Sequence, residues 1–129
     1  MKNIVRVTFI TAMLILVFSS VSFAQTAANN SWSSFWTKFS TAIKNKNRVA
    51  IKSLADSDFF DGGGGDTVTQ WMRNTIDKNN AWGDLYNSVR SGTKNYSSGD
   101  GKPWRVTKDN SLLFIYKNKR WQFHGVMGD

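Results

Sequence analysis

The chain has 129 residues, no Cys, one His, and 17 Lys and Arg residues against 9 acidic residues, all of which are Asp. This composition excludes disulfide-stabilised folds and zinc centres built on Cys or several His, and the length suits one domain. All six Trp and six of the nine Phe lie after residue 24 and supply apolar area for a core that depends on packing alone.

The N-terminal segment has the pattern of a secretory signal peptide over residues 1–24. Lys2 and Arg6 precede the apolar run "VTFITAMLILVF", and the small residues Ser22 and Ala24 stand where a signal peptidase cuts. We therefore expect cleavage after Ala24 and a secreted or periplasmic protein without a membrane span. Loss of two of the 17 basic residues, with all 9 acidic residues retained, would leave a net charge of +6.

Residues 25–30 are polar and predict a flexible leader, so a single domain is expected over 31–129. A helix should then begin at an N-cap on Asn30 or Ser31. Its apolar residues recur at helical spacing: Trp32, Phe35, Trp36, Phe39 and Ile43.

A second short helix is predicted over "NRVAIKSLA", with Asn47 as its N-cap and Val49, Ala50, Leu54 and Ile51 as candidates for its inward face. A third should begin near Asp66, because glycines do not propagate a helix whereas Asp caps one well. Its apolar spacing is interrupted at "DKNN" and resumes as far as Val89. The pattern indicates one broken helix or two.

After Pro103 the sequence changes to strands. "WRVTK", "SLLFIYK" and "RWQFHGVM" are rich in aromatic and β-branched residues, and turn residues join them at Asp109-Asn110 and Asn118-Lys119. The predicted fold class is α+β, with three or four N-terminal helices packed on a C-terminal antiparallel sheet of at least three strands.

The stretch "FFDGGGGDTVTQW" raises the question of a phosphate or calcium loop. A P-loop needs a Lys after its last Gly, and here an Asp follows instead. Four carboxylates close together could bind calcium, but Phe60 and Thr67 occupy ligand positions of the EF-hand register. The favoured interpretation is a hinge between helices, and no cofactor is expected. The calcium candidates are Asp56, Asp58, Asp61 and Asp66.

His124 is the only histidine. Strand alternation places it with Gln122 and Val126, opposite Trp121 and Phe123, and we take the Trp121 face to be the core. A lone His can act as a general base when a partner orients it. The candidates that could join His124 in catalysis are Asp77, Asp84 and Tyr116.

Two stretches resemble a family. "FWTKFSTAIKNKNRVAIKSLADSDFF" is similar to the opening of small exported bacterial proteins, and "LLFIYKNKRWQFHGVMGD" is similar to their ending. These proteins look like members of the cystatin-like superfold of nuclear transport factor 2. The resemblance implies a cone of helices against a curved antiparallel sheet, and it carries over no catalytic residue.

Two functions follow from these features. The first is a non-enzymatic binding or interaction module of the cell envelope, which would take a small ligand, a peptide or an anionic envelope polymer rather than nucleic acid. Trp104, beside Pro103, is its candidate for an exposed ligand-binding ring. The alternative is a cavity enzyme (isomerase, dehydratase or hydrolase) that uses His124 with an Asp. The first is favoured because acid–base catalysis needs paired titratable groups, and the chain offers one His and no Glu.

Overall fold

The computed structural model describes residues 25–128, so the predicted signal peptide lies outside the described residues. No helix within this range is long and apolar enough to cross a bilayer. The elements in chain order are α1 (25–44), α2 (Arg48–Leu54), β1 (Ala55–Phe60), α3 (Val68–Trp71) continuing as a π-helix (Met72–Asp77), α4 (Trp82–Arg90), β2 (Thr93–Tyr96), β3 (Trp104–Thr107), β4 (Leu112–Lys117) and β5 (Arg120–Val126).

The five strands form one mixed sheet in the order β1-β5-β4-β3-β2. The pairs from β2 to β5 are antiparallel, and β1 pairs parallel to β5. The α+β class is confirmed, and so is the predicted meander of β3, β4 and β5. The sequence prediction did not include β1 and β2, and it placed the Asp-rich segment that forms β1 in a hinge.

Helix α1 includes residues 25–30, for which the sequence predicts a flexible leader. Ala28 is completely buried, and its carbonyl oxygen accepts a hydrogen bond from Trp121 Nε1 at 2.7 Å. Ser31 is not an N-cap, because its hydroxyl donates back to the Ala27 carbonyl at 2.9 Å within the helix. Packing on the sheet therefore extends the helix beyond its predicted start.

Helix α2 begins at the predicted cap, with the Asn47 side chain accepting from the Ala50 N–H. The predicted inward face is confirmed for Ile51, which is completely buried, but not for Val49, which is 81% exposed. Thr67 caps α3 one residue after the predicted start, in a capping box with Gln70. The predicted break at residues 77–80 is present, as the π-helix ends there before α4.

The core lies between the helices and one face of the sheet. Phe39, Phe114 and Phe123 are completely buried and contact one another with ring centroids 5.0 to 5.7 Å apart. Trp121 is 5% exposed and packs edge-on against Trp32 at 4.7 Å. The prediction that Trp121 and Phe123 face the core is confirmed.

Two local features of β5 place His124 on the face away from the helices. The turn before β5 has Asn118 and Lys119 at φ 54° and 62°, which is typical of a tight type I′ hairpin. Further along, Leu113 pairs with Gly125 and Phe114 with Phe123, so His124 is the extra residue of a β-bulge. The bulge corrects the predicted alternation: Val126 packs against the core and does not share a face with His124.

Candidate functional site

His124 is paired with a buried carboxylate. Its Nδ1 lies 2.7 Å from Asp56 Oδ2, and the two residues are 68 positions apart in the chain. The Asp56 side chain is fully buried, while that of His124 is 21% exposed. Parallel pairing of β1 with β5 brings the two residues together, and within residues 25–128 the His124 side chain forms no other hydrogen bond.

The other carboxylate oxygen of Asp56 has two further partners. Lys117 Nζ lies 2.6 Å from Oδ1, and the Asp58 N–H donates to the same oxygen at 3.0 Å. Burial raises the pKa of the Asp56 carboxyl, but the hydrogen bonds from Lys117, His124 and the Asp58 N–H outweigh burial and hold that pKa below its ordinary value. The bond to Asp56 in turn raises the pKa of Lys117. We call Asp56, Lys117 and His124 the ion network.

Trp104, the candidate ligand-binding ring, lies beside the ion network. Its ring meets the imidazole of His124 edge-on, with centroids 5.0 Å apart. Its Nε1 donates to both carboxylate oxygens of Asp100, at 2.9 and 3.0 Å. The ring is half-buried, and its one polar atom already has a partner within the protein.

The other proposed partners of His124 belong to different parts of the structure. Asp77 lies in the π-helix and accepts hydrogen bonds from Trp82 and Arg48. Asp84 is in the first turn of α4, and Tyr116 packs against the core beside Trp121. The carboxylate that contacts His124 is therefore that of Asp56, which the sequence indicated only as a calcium candidate.

The glycine-rich segment is a turn folded around Asp61. The Asp61 carboxylate accepts the N–H groups of Gly65 and Asp66, each at 2.7 Å, and the bond from Asp66 is the main reason its pKa is lowered. Gly65 has a φ of +80°, which favours glycine. No three or more His, Cys, Asp or Glu residues in the described part of the chain are placed to hold a metal ion.

An open pocket of about 540 Å³ lies at the β1 edge of the sheet. We call it the β1-edge pocket. The last turn of α2, strand β1, the segment before α3 and the β4–β5 turn surround it. Its walls are residues 52–53, 55–57, 59, 65–68, 118, 120 and 122.

The β1-edge pocket is lined by charged residues that have no ion-pair partner in the described part of the chain. Neither Lys52 nor Arg120 forms a salt bridge within residues 25–128. Among the described residues, the Asp66 carboxylate accepts one long hydrogen bond, from Asn74 Nδ2 at 3.4 Å, and forms no salt bridge. Asp56 also lines the pocket, but its oxygens are occupied by the ion network. The pocket can thus offer two cations and one anion to a ligand.

Comparison with known proteins yields no relative. No protein-family model matches the chain, and no curated protein or solved structure is similar enough to be matched.

Proposed function

We propose that the chain is an exported, non-enzymatic binding module that takes a small ligand in the β1-edge pocket. The observation that carries this proposal is a pocket of about 540 Å³ lined by Lys52 and Arg120, neither of which forms a salt bridge within residues 25–128. That volume lies within the range of small-molecule sites in proteins. The apolar side chains of Phe59 and Val68 add contact area beside the polar groups.

Export is part of the proposal and is supported by the basic residues, the apolar run and the small residues of 1–24. The resemblance to the nuclear transport factor 2 superfold also remains a proposal. It is compatible with helices on one face of a sheet, but a shared fold class does not carry a function.

The ion network favours binding over catalysis. An Asp that assists a His in acid–base chemistry stabilises the imidazolium through its negative charge. Here Lys117 already compensates that charge at 2.6 Å, and the Asp58 N–H shares the same oxygen. His124, moreover, is not among the residues that line the β1-edge pocket. These contacts suit a structural role for the network.

A second candidate function is acid–base catalysis by His124, and the 2.7 Å contact with Asp56 favours it. The rate of 4-nitrophenyl acetate hydrolysis by the wild type and by the variants His124→Gln and Asp56→Asn tests whether His124 acts as an acid–base catalyst. A wild-type rate about a hundredfold above both variants would support it, since general acid–base catalysis contributes on that order. Equal rates in all three proteins are expected from the binding proposal.

A thermal-shift screen tests the binding proposal. The protein over residues 25–129 is melted with small carboxylates, amines, amino acids and neutral sugars. A ligand at ten times its Kd stabilises a protein by about 1.4 kcal/mol, which raises the Tm of a domain of this size by several degrees. Ser57→Phe, which places a ring in the pocket, should abolish the shift.

The matched control is Ser97→Phe, in the exposed loop after β2, which should retain the shift. Ligands that stabilise wild type and Ser57→Phe equally would contradict a site in the β1-edge pocket. No stabilisation by any compound class would contradict the binding function.

A further inference from the structure

We propose that the ligand of the β1-edge pocket is zwitterionic, an amino acid or short peptide with a free ammonium and a free carboxylate group. The inference rests on the proposed function and specifies its ligand. It follows from the three charged residues of the pocket that lack an ion-pair partner in the described chain: Lys52, Arg120 and Asp66.

The basic and acidic residues that line the pocket belong to different segments of the chain. Lys52 is in the last turn of α2, and Arg120 is the first residue of β5. Asp66 follows the glycine turn, and its N–H is held by the Asp61 carboxylate at 2.7 Å. A ligand that meets both walls therefore needs groups of both signs.

A ligand with a single charge pairs with only part of the pocket. An anion would pair with Lys52 and Arg120 but would be repelled by the carboxylate of Asp66. An amine would pair with Asp66 but would be repelled by the two basic residues. Arg offers a planar fork of N–H donors that fits a carboxylate with two parallel bonds. An ammonium group is a three-donor cation that suits a carboxylate such as that of Asp66.

Asp56 does not alter this balance. Its carboxylate also lines the pocket, but Lys117 and His124 hold its two oxygens at 2.6 and 2.7 Å. The remaining wall suits the body of an amino acid or dipeptide, with Phe59 and Val68 as apolar contacts and the Thr67 hydroxyl as a polar one.

Isothermal titration with three matched probes tests the inference. L-alanyl-L-alanine has both charged groups, its N-acetyl derivative lacks the ammonium group, and its C-terminal amide lacks the carboxylate. The free dipeptide should bind about tenfold or more tightly than either blocked form, because each blocked form loses a charge-assisted hydrogen bond.

Charge-removing variants assign each end of the ligand. Asp66→Asn should bind the free and the N-acetylated dipeptide equally, and Asp66→Ser serves the same purpose should the Asn variant unfold. Arg120→Gln should lose the preference for the free carboxylate. The controls are Asp84→Asn and Arg90→Gln, which remove equal charges in α4 outside the pocket and should bind as the wild type does.

The outcomes separate the inference from the proposed function. Equal binding of the free and N-acetylated dipeptides by wild type overturns the zwitterion inference and leaves a pocket for anions. Absence of dipeptide binding, while other compounds stabilise wild type but not Ser57→Phe, also overturns the zwitterion inference but leaves the proposed binding function intact. If no compound binds in the pocket by either method, the proposed function itself fails.

Discussion

The substitution Asp56→Asn tests whether the ion network stabilises the fold. Asn has the same shape but no charge, so Lys117 and His124 lose their anionic partner. Removal of one partner from a buried ion pair costs about 3–5 kcal/mol. The side chains of Lys117 and His124 are 20% and 21% exposed, so water can replace part of the interaction that they lose with the carboxylate. We therefore expect a loss of about 3 kcal/mol, near the lower limit of that range.

The assay is urea unfolding followed by circular dichroism at pH 7, with Asp58→Asn as the control. Asp58 is in the same strand and lies 3.3 Å from Lys117 Nζ, but its side chain is 79% exposed. Exposed ion pairs contribute little, so the control should lie within about 0.5 kcal/mol of wild type. An Asp56→Asn protein as stable as this control would refute the structural role of the network.

The pH dependence of the same difference follows from the lowered pKa of Asp56. A carboxyl whose pKa is lower in the folded state adds stability that is fully present above its unfolded pKa, about 3.9. That stability is lost as the pH falls through the folded pKa. The gap between wild type and Asp56→Asn should thus be constant near neutral pH and narrow below about pH 4. A gap that widens in acid would contradict the assignment.

Three further predictions concern the core, the strand pairing and export. Trp121→Ala should cost about 3–5 kcal/mol, and Trp121→Phe about 0.5–1.5 kcal/mol because it removes the Nε1 hydrogen bond to the Ala28 carbonyl. Urea unfolding measures both, and a Trp121→Ala protein as stable as wild type would contradict the assignment of Trp121 to the core face. Gly125→Ala should cost about 1–3 kcal/mol, since the added Cβ would lie 2.3 Å from the Phe60 carbonyl oxygen; an unchanged Tm would contradict the close pairing of β1 with β5. Mass spectrometry of the exported protein should give an N-terminus at Gln25, whereas an intact chain in the cytoplasm would end the export proposal.

The sequence predicted the parts of the fold that depend on neighbouring residues. The meander from β3 to β5 follows from local alternation and from turn residues such as Asn118. Strand β1 could not be predicted in this way, because Asp is depleted in strands and "ADSDFF" shows no alternation. Apart from the local Asp58 N–H, the partners that stabilise its buried Asp56 are Lys117 and His124, which lie more than 60 residues further along the chain.

The candidate site was predictable only in part. His124 could be singled out because it is the only histidine, but nothing near it in sequence indicates its partner. The charged residues of the β1-edge pocket, Lys52, Asp66 and Arg120, come from three separate segments and resemble ordinary surface charges. Only the folded chain shows that they border one pocket.

Amide chemical-shift mapping of the ¹⁵N-labelled protein tests the central claim most directly. The best compound from the thermal-shift screen is titrated into the protein over residues 25–129. If the ligand binds in the β1-edge pocket, we expect the largest amide chemical-shift changes at residues that line it: Ser53, Ser57, Thr67 and Gln122. Shifts concentrated instead around Trp104, on the face of the sheet that carries the ion network, would contradict it.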